Sequence, residues 1–254
     1  FAAPPNTSLR PVLRSGDLFR RAIPTASELI EAANLKGQVA FVVADAKTGT
    51  VLEQKAPTVG LMPASVTKAI TALYALDTLG ADHRFETQIV ATGGITAGEV
   101  QGDLILVGGG DPTLDTDALA AMAARLKDAG IHSVKGGFKV YEGNFPRVSR
   151  IDPEQPDHVG YNPGVSGLAL NFNRVHFEWK RGNSGYAVTM DGRSARYRPE
   201  VSMAVMQVQD RAVPVYTYRD DSKRDTWTVA KQALGKNGAR WLPVRKPGRY
   251  AADI

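Results

Sequence analysis

Ser65-Val66-Thr67-Lys68 sets a hydroxyl and an amine three residues apart. On a helix that spacing projects both side chains from one face, so the amine can take the hydroxyl proton and leave an oxygen able to attack a carbonyl. At a helix start the backbone N–H of Ser65 would also face the oxygen that turns negative in the attack. One short segment therefore offers a nucleophile, a general base and half of an oxyanion hole. A lysine at its ordinary pKa is only about 0.04% neutral at pH 7, so Lys68 can act as a base only where burial or a second cation lowers that value. The same pair also fits an N-terminal cap beside a solvated lysine, and spacing alone leaves both readings open.

Other chemistry is poorly supported. His83, His132, His158 and His176 are scattered, with no spacing that would bring two of them onto one helix face or side by side on a strand, so neither a zinc site nor a histidine triad is visible. Gly108-Gly109-Gly110-Asp111-Pro112 looks like a phosphate loop but lacks the Gly-Lys-Ser/Thr continuation, and reads instead as a glycine turn held by Pro112. With no cysteine there are no disulfides or thiolate ligands. The reading requires no metal or cofactor. The net charge of +5 comes from small mixed clusters such as residues 219–224, where Asp220 and Asp221 interrupt the cations. Without a continuous basic stripe, nucleic acid is not an expected partner. The most apolar stretch, residues 69–81, is broken by Thr71, Asp77 and Thr78, so no transmembrane segment is expected. The opening Phe1-Ala2-Ala3-Pro4-Pro5 has the look of a trimmed exported chain.

The elements that would position the pair can be read in order. Residues 1–12, rich in proline, should lie extended. Ser27 can cap a helix that Gly37 ends, and residues 39–44 with 50–52 predict a strand hairpin buried on both faces, its turn at 45–49. Pro63 and Ala64 lead into the clearest helix, whose Ala69, Ile70, Leu73, Leu76 and Leu79 form an apolar stripe before Gly80. Strands are expected over 87–92 and 104–107, a helix over 115–129, and a strand over 134–141. Beyond residue 161 alternation dominates, first at Leu168, Leu170 and Phe172 and then at Val175, Phe177 and Trp179, so the later half reads as largely β, with turns at 182–185 and at Asn237-Gly238. Helical character resumes at Tyr250. No internal repeat is present.

Three blocks make the chain recognisable: residues 63–68 with the helix after them, residues 79–87, and Gly102-Asp103-Leu104-Ile105-Leu106-Val107-Gly108-Gly109-Gly110-Asp111-Pro112-Thr113-Leu114. Together with Tyr161-Asn162-Pro163 and residues 166–173, they resemble the D-alanyl-D-alanine carboxypeptidase/endopeptidase family of low-molecular-mass penicillin-binding proteins. The resemblance implies an α+β fold: part of a β-lactamase/transpeptidase-like catalytic domain with a large, mostly β insertion. It divides the chain into a first catalytic segment over 1–85, an inserted α+β domain over 86–155 and a further β-rich insertion over 156–254. It further implies a serine DD-peptidase in the periplasm or otherwise exported to the cell envelope. Its partners would be peptidoglycan peptides and β-lactam antibiotics, with Ser65 acylated and Lys68 as general base.

The family template also requires a Ser-x-Asn element and a Lys-Thr-Gly strand after the nucleophile. No serine here has asparagine two residues later, and Lys47-Thr48-Gly49 precedes Ser65, where it reads as a turn. The chain is accordingly expected to be the N-terminal portion of a longer enzyme and, alone, to be nearly inactive. Near the substrate's side chain the family tends to place an acidic residue four positions before a phenylalanine. Tyr141 holds that place relative to Phe145, with Glu142 beside it. The alternative is a non-catalytic peptidoglycan-binding protein on the same fold.

Overall fold

A computed structural model describes residues 24–254, so the extended run expected over 1–12 lies outside the described residues. The chain divides into two compact units that meet in sequence between Ala81 and Asp82. In the first, Thr25 starts helix α1 (Ala26–Ala32) with a reciprocal cap: its hydroxyl accepts from Glu28 N–H at 3.2 Å, and the Glu28 carboxylate accepts from Thr25 N–H at 2.7 Å. Ser27, the expected cap, lies inside this helix. Strands β1 (Phe41–Ala44) and β2 (Val51–Lys55) pair antiparallel. Their turn is held by Asp45, whose Oδ1 accepts from the N–H of Lys47 at 3.0 Å and of Thr48 at 2.8 Å, with Gly49 at φ +71°. Lys47-Thr48-Gly49 is therefore a hairpin tip.

A 3-10 turn (Ala64–Val66) runs into helix α2 (Thr67–Leu79), which Gly80 closes at φ +83°. The expected burial of this unit is not found. Val42 is 50% exposed, Leu52 68% and Ile70 67%, and no described residue of the unit is buried. The amphipathic pattern marks which face an element can bury, but burial itself requires neighbours, and the unit has none to cover this face among its described residues.

The second unit begins with β3 (Gln88–Ala91), followed by the short pair β4 (Ile95–Thr96) and β5 (Glu99–Val100), and then β6 (Leu104–Val107). Helix α3 (Thr116–Asp128) is capped by Asp115, whose Oδ1 accepts from Ala118 N–H at 2.8 Å. The strand expected over 134–141 is two pieces, β7 (Ser133–Val134) and β8 (Phe138–Tyr141). Gly136 and Gly137 part them. A Cβ on Gly136 would lie 2.6 Å from the Gly102 carbonyl oxygen, and Asp103 Oδ1 accepts from Gly137 N–H at 2.9 Å. The order β3-β6-β8 makes one sheet, with β3 antiparallel and β8 parallel to β6, and β4-β5-β7 makes a second. The parallel β6–β8 pair is joined across α3, as a crossover connection requires.

Beyond residue 170 the chain is mostly strand: β9 (Arg174–Gly182), β10 (Gly185–Asp191), β11 (Ala204–Gln209), β12 (Tyr216–Asp220), β13 (Asp225–Ala230) and β14 (Asn237–Pro243). They form sheets ordered β10-β9-β14 and β11-β13-β12. Val175, Phe177, Met190 and Leu242 from the first join Met206, Trp227 and Val229 from the second in one core, each contributing about 1.5–3 kcal/mol where fully buried. Two sequence expectations fail here. Asn237-Gly238 opens β14 rather than turning a hairpin, because it pairs with Lys180 and Trp179 of β9. The alternation Leu168, Leu170, Phe172 is not a strand: Asn171, Phe172 and Asn173 lie at φ +50°, +57° and +50°. Helix α4 (Pro247–Asp253) starts at proline, three residues ahead of its expected onset, and buries Tyr250 completely. Among the described residues no helix is long and apolar enough to cross a membrane.

Asn171 explains why the left-handed turn persists. Its Oδ1 accepts from Thr116 N–H at 3.2 Å, while Nδ2 lies within 2.9 Å of Thr116 Oγ1, 3.2 Å of the Gly192 carbonyl and 3.1 Å of the Tyr250 hydroxyl. The amide thus joins α3, the residue after β10 and α4, and asparagine tolerates positive φ better than other non-glycine residues. Asn171→Ala should strand several buried partners and cost about 2–4 kcal/mol. All three tryptophans, Trp179, Trp227 and Trp241, lie in this unit, so urea unfolding followed by tryptophan fluorescence measures the loss directly. An unchanged midpoint would show that the turn does not depend on this amide.

Candidate active site

The sequence places Ser65 and Lys68 near a helix start, and the backbone shows how they meet. Ser65 is the middle residue of the 3-10 turn, while Lys68 is the second residue of α2. In a 3-10 turn residues three apart eclipse one another, which brings the two side chains together more closely than an α-helix would. Lys68 Nζ stands 2.8 Å from Ser65 Oγ, in direct donor contact. This is the one hydrogen bond of the Lys68 amine among the described residues, and both residues are exposed. Ala64, immediately before Ser65, lies at φ +43°. An alanine in the left-handed region is strained, and such strain clusters where a side chain must be aimed. Composition and periodicity gave no sign of it, since a non-glycine residue at positive φ leaves no mark in the sequence.

Among the described residues of the first unit, no other side chain is hydrogen-bonded to this pair. Lys47 is at the hairpin tip, where its backbone N–H, not its amine, is used. His83, His132, His158 and His176 all belong to the second unit and do not cluster: His158 stacks on Tyr216 at 4.9 Å and His176 meets the Trp241 edge at 4.9 Å. Burial depresses the His158 and His176 pKa values, the nearby Arg240 and Arg193 guanidinium groups adding to it respectively.

The glycine block has a packing role. Hypothetical Cβ atoms on Gly110, Gly143 and Gly167 would come within 2.7, 3.1 and 2.9 Å of the Phe145 ring, so these three glycines form a floor beneath that aromatic. Phe145 remains 47% exposed above it. Gly109 is needed for a still closer approach, because its Cβ would sit 1.9 Å from the Glu86 carbonyl oxygen. Asp111 closes the loop by accepting from Thr113 N–H at 2.9 Å and from its hydroxyl at 2.7 Å. Beside it, Glu142 is already engaged: Oε1 accepts from Gly248 N–H at 3.0 Å in the first turn of α4, and Oε2 lies 3.3 Å from Arg147. The Tyr141 hydroxyl donates to the Asn144 side chain.

With this geometry in hand, similarity to known proteins is specific. The model of the D-Ala-D-Ala carboxypeptidase 3 (S13) family matches residues 25–253, and the chain belongs to that family. A D-alanyl-D-alanine carboxypeptidase of Actinomadura sp. is 39% identical over 146 residues, 56% of this chain and 27% of that protein. A carboxypeptidase of Mycobacterium tuberculosis is 45% identical over 97 residues, 36% of this chain and 20% of that protein. The fold resembles the crystal structure of penicillin-binding protein 4 from Haemophilus influenzae, with a TM-score of 0.60 at 21% identity, covering 83% of this chain and 48% of that one. The α+β, penicillin-binding fold expected from the sequence is thereby established. The chain spans about half the length of that solved structure, and its matches take in about a quarter of the curated relatives.

The engagement of Glu142 yields a prediction. Glu142→Gln removes the charge that faces Arg147 and the start of α4, and should lower the stability of the second unit by about 1–2 kcal/mol in urea titration. A variant as stable as the parent would mean that the carboxylate is free for another partner.

Proposed function

We propose that this chain carries the nucleophile segment of a serine DD-peptidase that acts on peptidoglycan stem peptides outside the cytoplasmic membrane. The observation that carries the reading is the 2.8 Å contact between Lys68 Nζ and Ser65 Oγ, on a turn strained at Ala64. In the reaction, neutral Lys68 takes the Ser65 hydroxyl proton as Oγ bonds to the carbonyl carbon of the penultimate D-alanine. The peptide C–N bond then breaks, the departing D-alanine amine receives a proton, and water hydrolyses the Ser65 ester. A β-lactam carbonyl would be attacked in the same way, with its ring nitrogen as leaving group, and the ester would persist.

Membership of the S13 family and the named relatives support this assignment. The family resemblance further divides the chain into a catalytic segment over 1–85 and insertions over 86–155 and 156–254, and the boundary between compact units at Ala81 and Asp82 supports the first division. The uncovered apolar stripe of α2 supports the reading of the first segment as one part of a larger catalytic domain. Recognition of a diamino acid through Glu142 is not part of the proposal, because Gly248 N–H and Arg147 already hold that carboxylate.

The test is release of D-alanine from an acylated tripeptide ending in D-Ala-D-Ala, using the natural gene product. Ser65→Ala should lower the rate at least about a thousandfold, and Lys68→Ala by a similar factor, because nucleophile and base act as a unit. Release that survives in the Ser65→Ala protein would refute the assignment. Absence of release in the parent protein, with retained binding to isolated peptidoglycan, would favour the non-catalytic wall-binding alternative.

A further inference from the structure

The second unit holds a cation that its fold does not neutralise. The guanidinium carbon of Arg174, the first residue of β9, lies over the Phe172 ring at 5.1 Å from its centroid and over the Trp241 ring at 5.4 Å. Strand register accounts for the second contact: Arg174 pairs with Pro243 and His176 with Trp241, so Arg174 and Trp241 are diagonal neighbours on one face of the sheet. Phe172 arrives from the left-handed turn. Asn171 and Asn173 on either side are buried and bonded inward, while Phe172 is 61% exposed. A phenylalanine at φ +57° is unfavourable, so the flanking asparagines hold it in place.

Among the described residues no acceptor meets this guanidinium. Arg174 forms no salt bridge or side-chain hydrogen bond among the described residues, and its Nε is buried without a partner. Two carboxylates share its sheet face, but Arg193 takes both, reaching Asp191 at 2.6 Å and Glu178 at 3.0 Å. Gly160 keeps the chain beside it thin: a Cβ there would stand 2.9 Å from the Trp241 carbonyl oxygen and 3.6 Å from Arg174 Cδ. Aromatic rings against a guanidinium fix its plane and leave the in-plane N–H groups free, the arrangement that suits two parallel hydrogen bonds to a carboxylate. Nε is buried and out of a ligand's reach, whereas the terminal nitrogens are neither buried nor bonded among the described residues and are the donors left for a ligand.

We infer that Arg174, framed by Phe172 and Trp241, is a binding site for a peptide carboxylate. The carboxylate can come from a chain terminus or from an acidic side chain. The experiment follows the indole N–H signal of Trp241 in the 15N-labelled full chain during titration with two probes. One is N-acetyl-alanyl-alanine, whose carboxylate is terminal, and the other is N-acetyl-glutamyl-alanine amide, whose carboxylate is on the side chain. A saturable shift with either supports the site, and which probe binds more tightly identifies the source. Arg174→Lys keeps the charge but loses the planar fork and should weaken binding at least about tenfold. Phe172→Leu retains the arginine and should weaken it less. The inference is overturned if neither probe gives a saturable shift, if Arg174→Lys binds as well as the parent, or if inorganic phosphate binds more tightly than both peptides. None of these readouts depends on D-alanine release.

Discussion

The second unit depends on the hydrogen bonding of one buried amide. Asn171 links α3, the end of β10 and α4 through Thr116, Gly192 and Tyr250, segments that lie between 21 and 79 residues from it in sequence. The Tyr250 hydroxyl extends this set by donating to the Arg174 carbonyl at 2.9 Å. A polar group at the meeting point of three elements specifies their mutual placement more strictly than apolar contact does, because a slip leaves buried donors and acceptors unpaired. Two further features follow from the same turn. It forces Phe172 outward, and it starts β9 in a register that seats Arg174 diagonally from Trp241.

The first unit works by local geometry alone. The Ser65–Lys68 contact lies at the junction of a 3-10 turn with α2, where one residue belongs to each element. Such a junction can be formed without a packed core, which agrees with the absence of buried residues among those described there. Pre-alignment of the hydroxyl and amine does not by itself activate them.

Much of this was legible in the sequence, and for identifiable reasons. The Ser65/Lys68 pairing follows from spacing at a helix start, and the hairpin tip at 47–49, the helix over 115–129 and the strands β6 and β9 follow from turn residues and periodicity. What escaped was anything that depends on neighbours. The apolar faces of β1, β2 and α2 were visible as patterns, but their burial was not. The period-2 run from Leu168 to Phe172 imitated a strand because Leu168 and Leu170 are buried at that spacing, but the left-handed turn that follows faces Phe172 outward. Asparagines on both sides of Phe172 were the available signal, since asparagine favours that backbone region. Glu142 was noticed by its acidity, whereas its engagement by Gly248, 106 residues later, could be seen only in three dimensions.

The central claim is that Ser65 is the residue acylated, and peptide mapping after reaction with benzylpenicillin tests it most directly. The natural gene product is treated with saturating drug, digested and examined by mass spectrometry. The account predicts one penicilloyl group, carried by the peptide that contains Ser65, and its absence from the Ser65→Ala protein. An adduct on any other residue, or a fully unmodified protein, would contradict it.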